Sequence, residues 1–415
     1  MGERTKIIRS TEFQVTLGYL LILIVAGALY GFQEGLVADM TRIIAQPGVL
    51  ITDFFVVGSI GATLVNAGLV GLAGLLVTLY SRVPIRGYII AAVFTMAGFS
   101  FMGKTIANIW PVFLGVWLYA LVKKEPFNHF ILNALFGTAL APVASSAAFG
   151  LGLGPCGGLA LGVAGGFLVP SLAAHFLATH QGLNLYNIGF TAGFIATLLA
   201  GLLRGFGAAK ELAFIWGVGF NEILLAPLVA YLFSMIIIGV FHCRGNLTGL
   251  KEIHKMSGAL VSDFVSESGL GATLINMGLV GLIGTGYVVL VGGDLNGPTL
   301  SGIFTIVGFG AFGKHCRNIL PIMIGAFLSL QVFYWEAAAA GPLLGVLFGT
   351  TLAPIAGTFG VIAGLVAGFL HISMVMNVGY LHGGMNLYNN GFAGGIVAAL
   401  MVGVLKSFNG RISDE

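Results

Sequence analysis

Charge is what this chain lacks. Only 8% of its 415 residues are Asp, Glu, Lys or Arg, against about a quarter in an ordinary soluble domain. The 18 basic and 15 acidic residues leave a net charge of +3. A soluble protein of this length needs polar side chains to cover its surface, and a nucleic-acid binder needs a basic stripe. Both classes are excluded, and so is a disordered chain. Cysteine is as scarce: Cys156, Cys243 and Cys316 stand far apart, in no Cys-x-x-Cys spacing. That excludes a disulfide framework and gives no zinc or iron–sulfur signature. H-E-x-x-H and G-x-S-x-G are missing too, and the one phrase with the spacing of a phosphate-cradling loop, GFSFMGKT from Gly98 to Thr105, lies between apolar segments and is set aside. No catalytic residue, metal site or cofactor is expected, and the chain does not read as an enzyme.

What is present is apolar. Hydrophobic residues make up 57% of the chain, and 65 residues are glycine with no Gly-X-Y period. Glycine within apolar segments lets membrane helices approach closely or break. The composition describes an all-α integral membrane protein, its first partner the lipid bilayer. A basic stretch, Met1 to Ser10, precedes an apolar run from Phe13 to Phe32 that is too long for a signal-peptide core. It reads as a retained first helix of a multi-pass protein of the cell (inner) membrane, with both termini cytoplasmic.

The strongest feature is an internal duplication. GATLVNAGLVGL (Gly61 to Leu72) returns 210 residues later as GATLINMGLVGL (Gly271 to Leu282). The same displacement carries FTMAGFSFMGK (Phe94 to Lys104) onto FTIVGFGAFGK (Phe304 to Lys314), and Asp53 onto Asp263. With a small drift, FGTALAP at Phe136 returns as FGTTLAP at Phe348, and NLYNIGF at Asn184 as NLYNNGF at Asn386. The chain divides into an N-terminal repeat, 1–203, a linker, 204–219, and a C-terminal repeat, 220–415, in one membrane domain.

Each repeat holds seven apolar stretches, running from 15–34 to 185–203 and from 219–241 to 387–405. A bilayer core takes about 20 helical residues, and the stretches 86–102 and 106–122 are short. Two drawings follow. Seven crossings per repeat place Lys104 and Lys314 at the membrane faces, where their stems snorkel. Re-entrant hairpins leave five crossings per repeat and put both lysine tips near the midplane, where a lysine costs about 3 kcal/mol and is kept for a reason. The total is therefore about 10–14 transmembrane helices, and either odd count inverts one repeat against the other.

The charges agree with inversion. With the N-terminus inside, the inner loops of the first repeat hold Arg82, Arg86, Lys123 and Lys124, whereas their mates hold only Asp294 and Glu336. The piece with Asp39 and Arg42 is balanced, but its mate carries Arg244, Lys251 and Lys255 against Glu252. Lys406 and Arg411 also fall inside; the linker with Arg204 and Lys210 is the one violation.

Two inverted homologous repeats are a common build of secondary transporters, with the solute site near the midplane where broken helices meet. The substrate-binding candidates are the polar residues inside apolar segments. Asn66 and Asn276, with Thr63 and Thr273 one turn earlier, serve either as interhelical glue or as solute ligands. Thr138 and Thr350 precede the proline breaks at Pro142 and Pro354. Lys104 and Lys314 favour an anion if buried, and Asn108 and Asn318 follow them. Candidates for coupling or gating are Glu222, Asp53 and Asp263 at helix starts, and Tyr186, Asn187, Tyr388 and Asn389 of the NLYN motifs. His180 and His382 precede those motifs without metal-ligand spacing.

The GATL-x-N-x-GLVGL, FGT-x-LAP and NLYN-x-GF blocks resemble those of an uncharacterised prokaryotic polytopic membrane family whose function is unassigned. That resemblance spans essentially the whole chain and implies no activity. Asn66-Ala67-Gly68-Leu69-Val70-Gly71 is similar to the Asn-Gly-x-Leu-Val-Gly phrase of urea transporters, which implies an inverted-repeat path for a small neutral solute. Gly61-Ala62-Thr63 resembles the Ser-Gly-Ala-Thr flavin-attachment motif of sodium-pumping quinone reductase subunits, but Ile60 and Leu270 stand where the serine would be. The expected function is secondary active transport of a small polar or ionic solute. The alternatives are a channel of urea-transporter type and a membrane-embedded redox subunit. Glycine-rich faces also permit a homodimer.

Overall fold

Apolar segments without water must satisfy their backbone internally, so they become helices. A computed structural model describes residues 2–32, 35–208 and 214–409; Lys210 and Arg411 lie outside the described residues, as does part of the linker. The first repeat contains α1 (Thr11–Gly31), the amphipathic α2 (Leu36–Ile44), α3 (Ile60–Tyr80), α4 (Gly87–Gly98) and α5 (Trp110–Lys123). Then come α6 (Phe127–Gly150), α7 (Gly154–His180) and α8 (Asn187–Gly205). The second repeat follows in the same order. Its helices are α9 (Asn221–His242), the short α10 (Thr248–Ile253), α11 (Leu270–Leu290), α12 (Gly297–Phe309) and α13 (Cys316–Val332). Next are α14 (Ala340–Phe359), α15 (Val361–Val378) and α16 (Asn389–Asn409). Ten of these helices are long and apolar enough to cross a membrane, five in each repeat. Their exposed apolar side chains, such as Leu29, Leu198, Ile237 and Val404, belong to lipid. Side-chain caps fix several starts: Ser10 accepts from Phe13, Ser59 from Ala62, and Asn296 forms a capping box with Thr299.

α4, α5, α12 and α13 are the short helices, and they replace the seven-crossing drawing. Between α4 and α5 the chain makes a 3-10 turn at Phe99–Phe101 and then bends at Gly103, whose φ of +81° favours a residue without a Cβ. Gly313 does the same between α12 and α13, at +106°. Neither turn surfaces. Lys104 and Lys314 are 0% exposed, and the loops ahead of α3 and α11 cover them, Gly48 against Gly103 and Gly258 against Gly313. The pairs α4–α5 and α12–α13 turn back at buried tips, as the re-entrant drawing expects, so the snorkelling placement of the lysines is corrected. A snorkelling ammonium needs an end of helix in reach of water, and here a folded loop lies over each tip.

Equivalent helices cross one another. α4 and α12 pack antiparallel: Gly87 abuts Ala311, Gly297 abuts Phe101, and in between Ser301 Oγ donates to the Gly98 carbonyl at 2.7 Å. α1 meets α9 through Tyr19 and Ser234, 3.1 Å apart. α8 meets α16 at Gly189 and Gly391. One axis therefore relates the repeats and passes between the two hairpins.

The repeated acids lock this crossing. Asp53, 0% exposed, accepts from Phe55 N (2.9 Å) and Gly217 N (3.0 Å), and from Gly297 N (3.3 Å) at the start of α12 in the other repeat. Asp263 returns the exchange, accepting from Gly87 N at 2.9 Å, the start of α4. A carboxylate at a helix start complements the dipole there. Asp53 lies outside the ten spans, and burial pushes its carboxyl up to about 6 against the pull of those three N–H groups.

Candidate functional site

Both hairpin tips are fastened by an asparagine. Asn66 donates to the carbonyls of Ser100 and Lys104, each at 2.9 Å, and accepts from Ile106 N at 3.1 Å. Asn276 donates to Gly310 and Lys314 carbonyls at 2.8 Å. A re-entrant turn strands backbone groups inside the bilayer, and these amides satisfy them. Asn108 and Asn318 brace the same turns, donating to the Gly103 and Gly313 carbonyls at 2.9 and 2.8 Å. Thr63 and Thr273 bond back to the Ser59 and Gly269 carbonyls within their own chain segment, at 2.7 and 2.9 Å. These six candidates hold the scaffold together.

The lysines are placed differently. Lys104 Nζ donates to the hydroxyl of Tyr388, 2.6 Å away in the opposite repeat, and lies over the rings of Phe99 and Tyr388 at 5.5 and 4.6 Å. Lys314 Nζ donates to the hydroxyl of Tyr186, again across the repeats, and to Thr350 Oγ1 at 2.8 Å. It lies over Phe309 and Tyr186 at 5.3 and 4.6 Å. Among the described residues no carboxylate pairs with either lysine. Each Nζ is thus held by one or two hydroxyls and lies beside two aromatic rings, with no charge opposite it among the described residues.

A cavity of about 360 Å³ lies in front of these groups. Its wall contains three pairs of repeat-equivalent residues, Thr95 with Thr305, Phe99 with Phe309, and Tyr186 with Tyr388, so it straddles the axis. It extends to His129 and Val261, both exposed, on the face that carries Lys123 and Lys124. The equivalent wall toward the opposite face is shut. Where the cavity has Asn133, Pro170 and Ala173, the other repeat has Gly345, Ile372 and Val375; all three are buried, and the two side chains crowd onto the glycine.

The NLYN motifs supply the tyrosines and fix them. Asn184 donates to the Gly391 carbonyl (3.0 Å) and Asn386 to the Gly189 carbonyl (3.2 Å), tying the two motifs together across the axis. Asn187 and Asn389 bond His180 and His382, each at 2.9 Å, which holds the end of the preceding helix. Thr138 bonds the Leu135 carbonyl at 2.6 Å, without a lysine contact like that of Thr350. Glu222 sits exposed in the first turn of α9, away from the cavity. Sequence reasoning missed Phe99, Phe309, Thr95 and Thr305, although all four lie inside the duplicated FT-x-x-GF block. It also kept lysines and tyrosines apart, because 284 residues separate Lys104 from Tyr388 and no local spacing links them.

A family model described as "Protein of unknown function (DUF1576)" matches residues 32–205 and 242–407. The chain belongs to this family. The two matched segments fall one in each repeat, so in this chain the lysine of one matched segment meets the tyrosine of the other. No curated protein and no solved structure matches the chain.

Proposed function

We propose that the protein is a membrane transporter, not an enzyme, and that the cavity between its repeats is the solute site. The observation that carries this reading is one-sided access. The cavity reaches the axis and is built from equivalent residues of both repeats, yet it meets only the face bearing Lys123 and Lys124, while its mate is packed. A pore open to both faces needs no such difference. A carrier built from antiparallel repeats does, because exchanging the conformations of the two repeats exposes the same site to the other face. The charge bias of the loops supports placing the basic face in the cytoplasm, with both termini.

Reconstitution into liposomes tests this. Labelled neutral, cationic and anionic solutes should include at least one class whose uptake exceeds that of empty liposomes, saturates, and shows counterflow when the lumen is preloaded. Ala173→Trp, which fills the cavity, should cut that uptake at least tenfold. Passage without saturation or counterflow would make the protein a channel. No passage of any class, or equal passage in the filled variant, would end the reading.

A further inference from the structure

We propose that the cavity takes an organic anion: a compact apolar body with one carboxylate, the head held at Tyr186 and Tyr388 in front of Lys314 and Lys104. The inference rests on the reading of the cavity as the solute site and adds the chemistry of what enters it.

The wall decides the body. The lining is predominantly apolar, Phe99, Phe136, Phe309 and Phe312, with Leu132 and Leu185, among its larger side chains. Such walls cannot replace the hydration shell of phosphate, chloride or a metal ion, and they offer too few donors and acceptors for a sugar. A volume of about 360 Å³ suits a molecule on the scale of a small aromatic or branched aliphatic acid.

The deep end decides the head. An ammonium carries three N–H donors; the bonds described above use one at Lys104 and two at Lys314. The hydroxyls of Tyr186 and Tyr388 accept from the lysines and pair with Thr350 and Thr138, whose own hydrogens go to the Leu347 and Leu135 carbonyls; a carboxylate entering the cavity would take those two O–H donors in place of the threonines, with a lysine behind each. No Asp or Glu lines the cavity, and none pairs with the lysines among the described residues. A cationic solute finds nothing to neutralise it here. A carboxylate supplies the negative charge that both buried lysines lack, in a setting of low dielectric where charge-assisted hydrogen bonds are strong.

Binding to the purified full-length chain tests the proposal by calorimetry and thermal shift. The probes are benzoate, phenylacetate and hexanoate, their neutral amides benzamide, phenylacetamide and hexanamide, and inorganic phosphate. At least one carboxylate should bind and raise the melting temperature, with its amide at least tenfold weaker and phosphate silent. Lys314→Met and Lys104→Met should each weaken the carboxylate at least tenfold. Should either variant fail to fold, Tyr186→Phe and Tyr388→Phe, which keep the packing, should still weaken it several-fold, and Ala173→Trp should abolish it. Amide and acid binding alike would leave the cavity a solute site and overturn the anion. Carboxylate binding untouched by the tyrosine and Ala173 variants would place it elsewhere and overturn the proposal. Silence of every carboxylate with uptake of another solute into liposomes would overturn the anion alone; silence with no uptake would overturn both readings.

Discussion

Asn66→Leu should destabilise the protein by about 4 kcal/mol, more than any change of that size on the lipid-facing surface. Leucine fills nearly the same volume, so the loss is in hydrogen bonding. Removing the amide strands the Ser100 and Lys104 carbonyls and the Ile106 N–H, and each buried group left without a partner costs about 1–3 kcal/mol. Asn276→Leu strands two carbonyls and no N–H, so it should cost less, by about 1 kcal/mol or more. Unfolding of both variants in detergent micelles measures the difference. Equal losses, or losses under about 0.5 kcal/mol, a typical surface effect, would mean that the amides do not hold the hairpins.

Gly189→Val should part the two NLYN motifs. A Cβ at Gly189 would lie 2.7 Å from Tyr388 Cβ, and one at Gly391 would lie 2.9 Å from Tyr186 Cβ. Neither contact can be relieved by turning a side chain, because the Cβ of each tyrosine is fixed by its backbone. Valine must therefore push α8 from α16 and carry Tyr388 away from Lys104. Overpacking of this kind costs about 1–3 kcal/mol, and the larger effect falls on the site: solute binding should drop at least tenfold. Gly201→Val, on the same helix with open space around its Cα, should leave binding within about twofold. Loss of binding in both, or in neither, would contradict the role given to the crossing.

The duplication, the helical class and the presence of two broken spans were legible because they are written in consecutive residues. GATL-x-N, FGT-x-LAP and NLYN each repeat as intact phrases. The hairpins were legible only as one of two drawings. Length and hydropathy cannot separate a short crossing from a turn that stops inside, and what decides it is the loop lying over Gly103, remote from it in sequence. The asparagines show the same limit. Asn66 in a glycine-rich helix fits solute or scaffold equally until its partners are known, and those are the backbone of its own repeat's hairpin. The lysine–tyrosine exchange was out of reach for a stronger reason: each partner belongs to the other repeat. Only folding two copies against each other brings them together.

Thiol labelling tests the one-sided cavity most directly. In a chain with Cys156, Cys243 and Cys316 replaced, cysteine is placed singly at Ala173, in the cavity wall, and at its mate Val375, in the packed wall. A membrane-impermeant maleimide should reach Ala173→Cys only from the face carrying Lys123 and Lys124, and at least tenfold faster than it reaches Val375→Cys from either face. Labelling of both positions at similar rates, or of Ala173→Cys from neither face, would contradict a solute cavity open on one side.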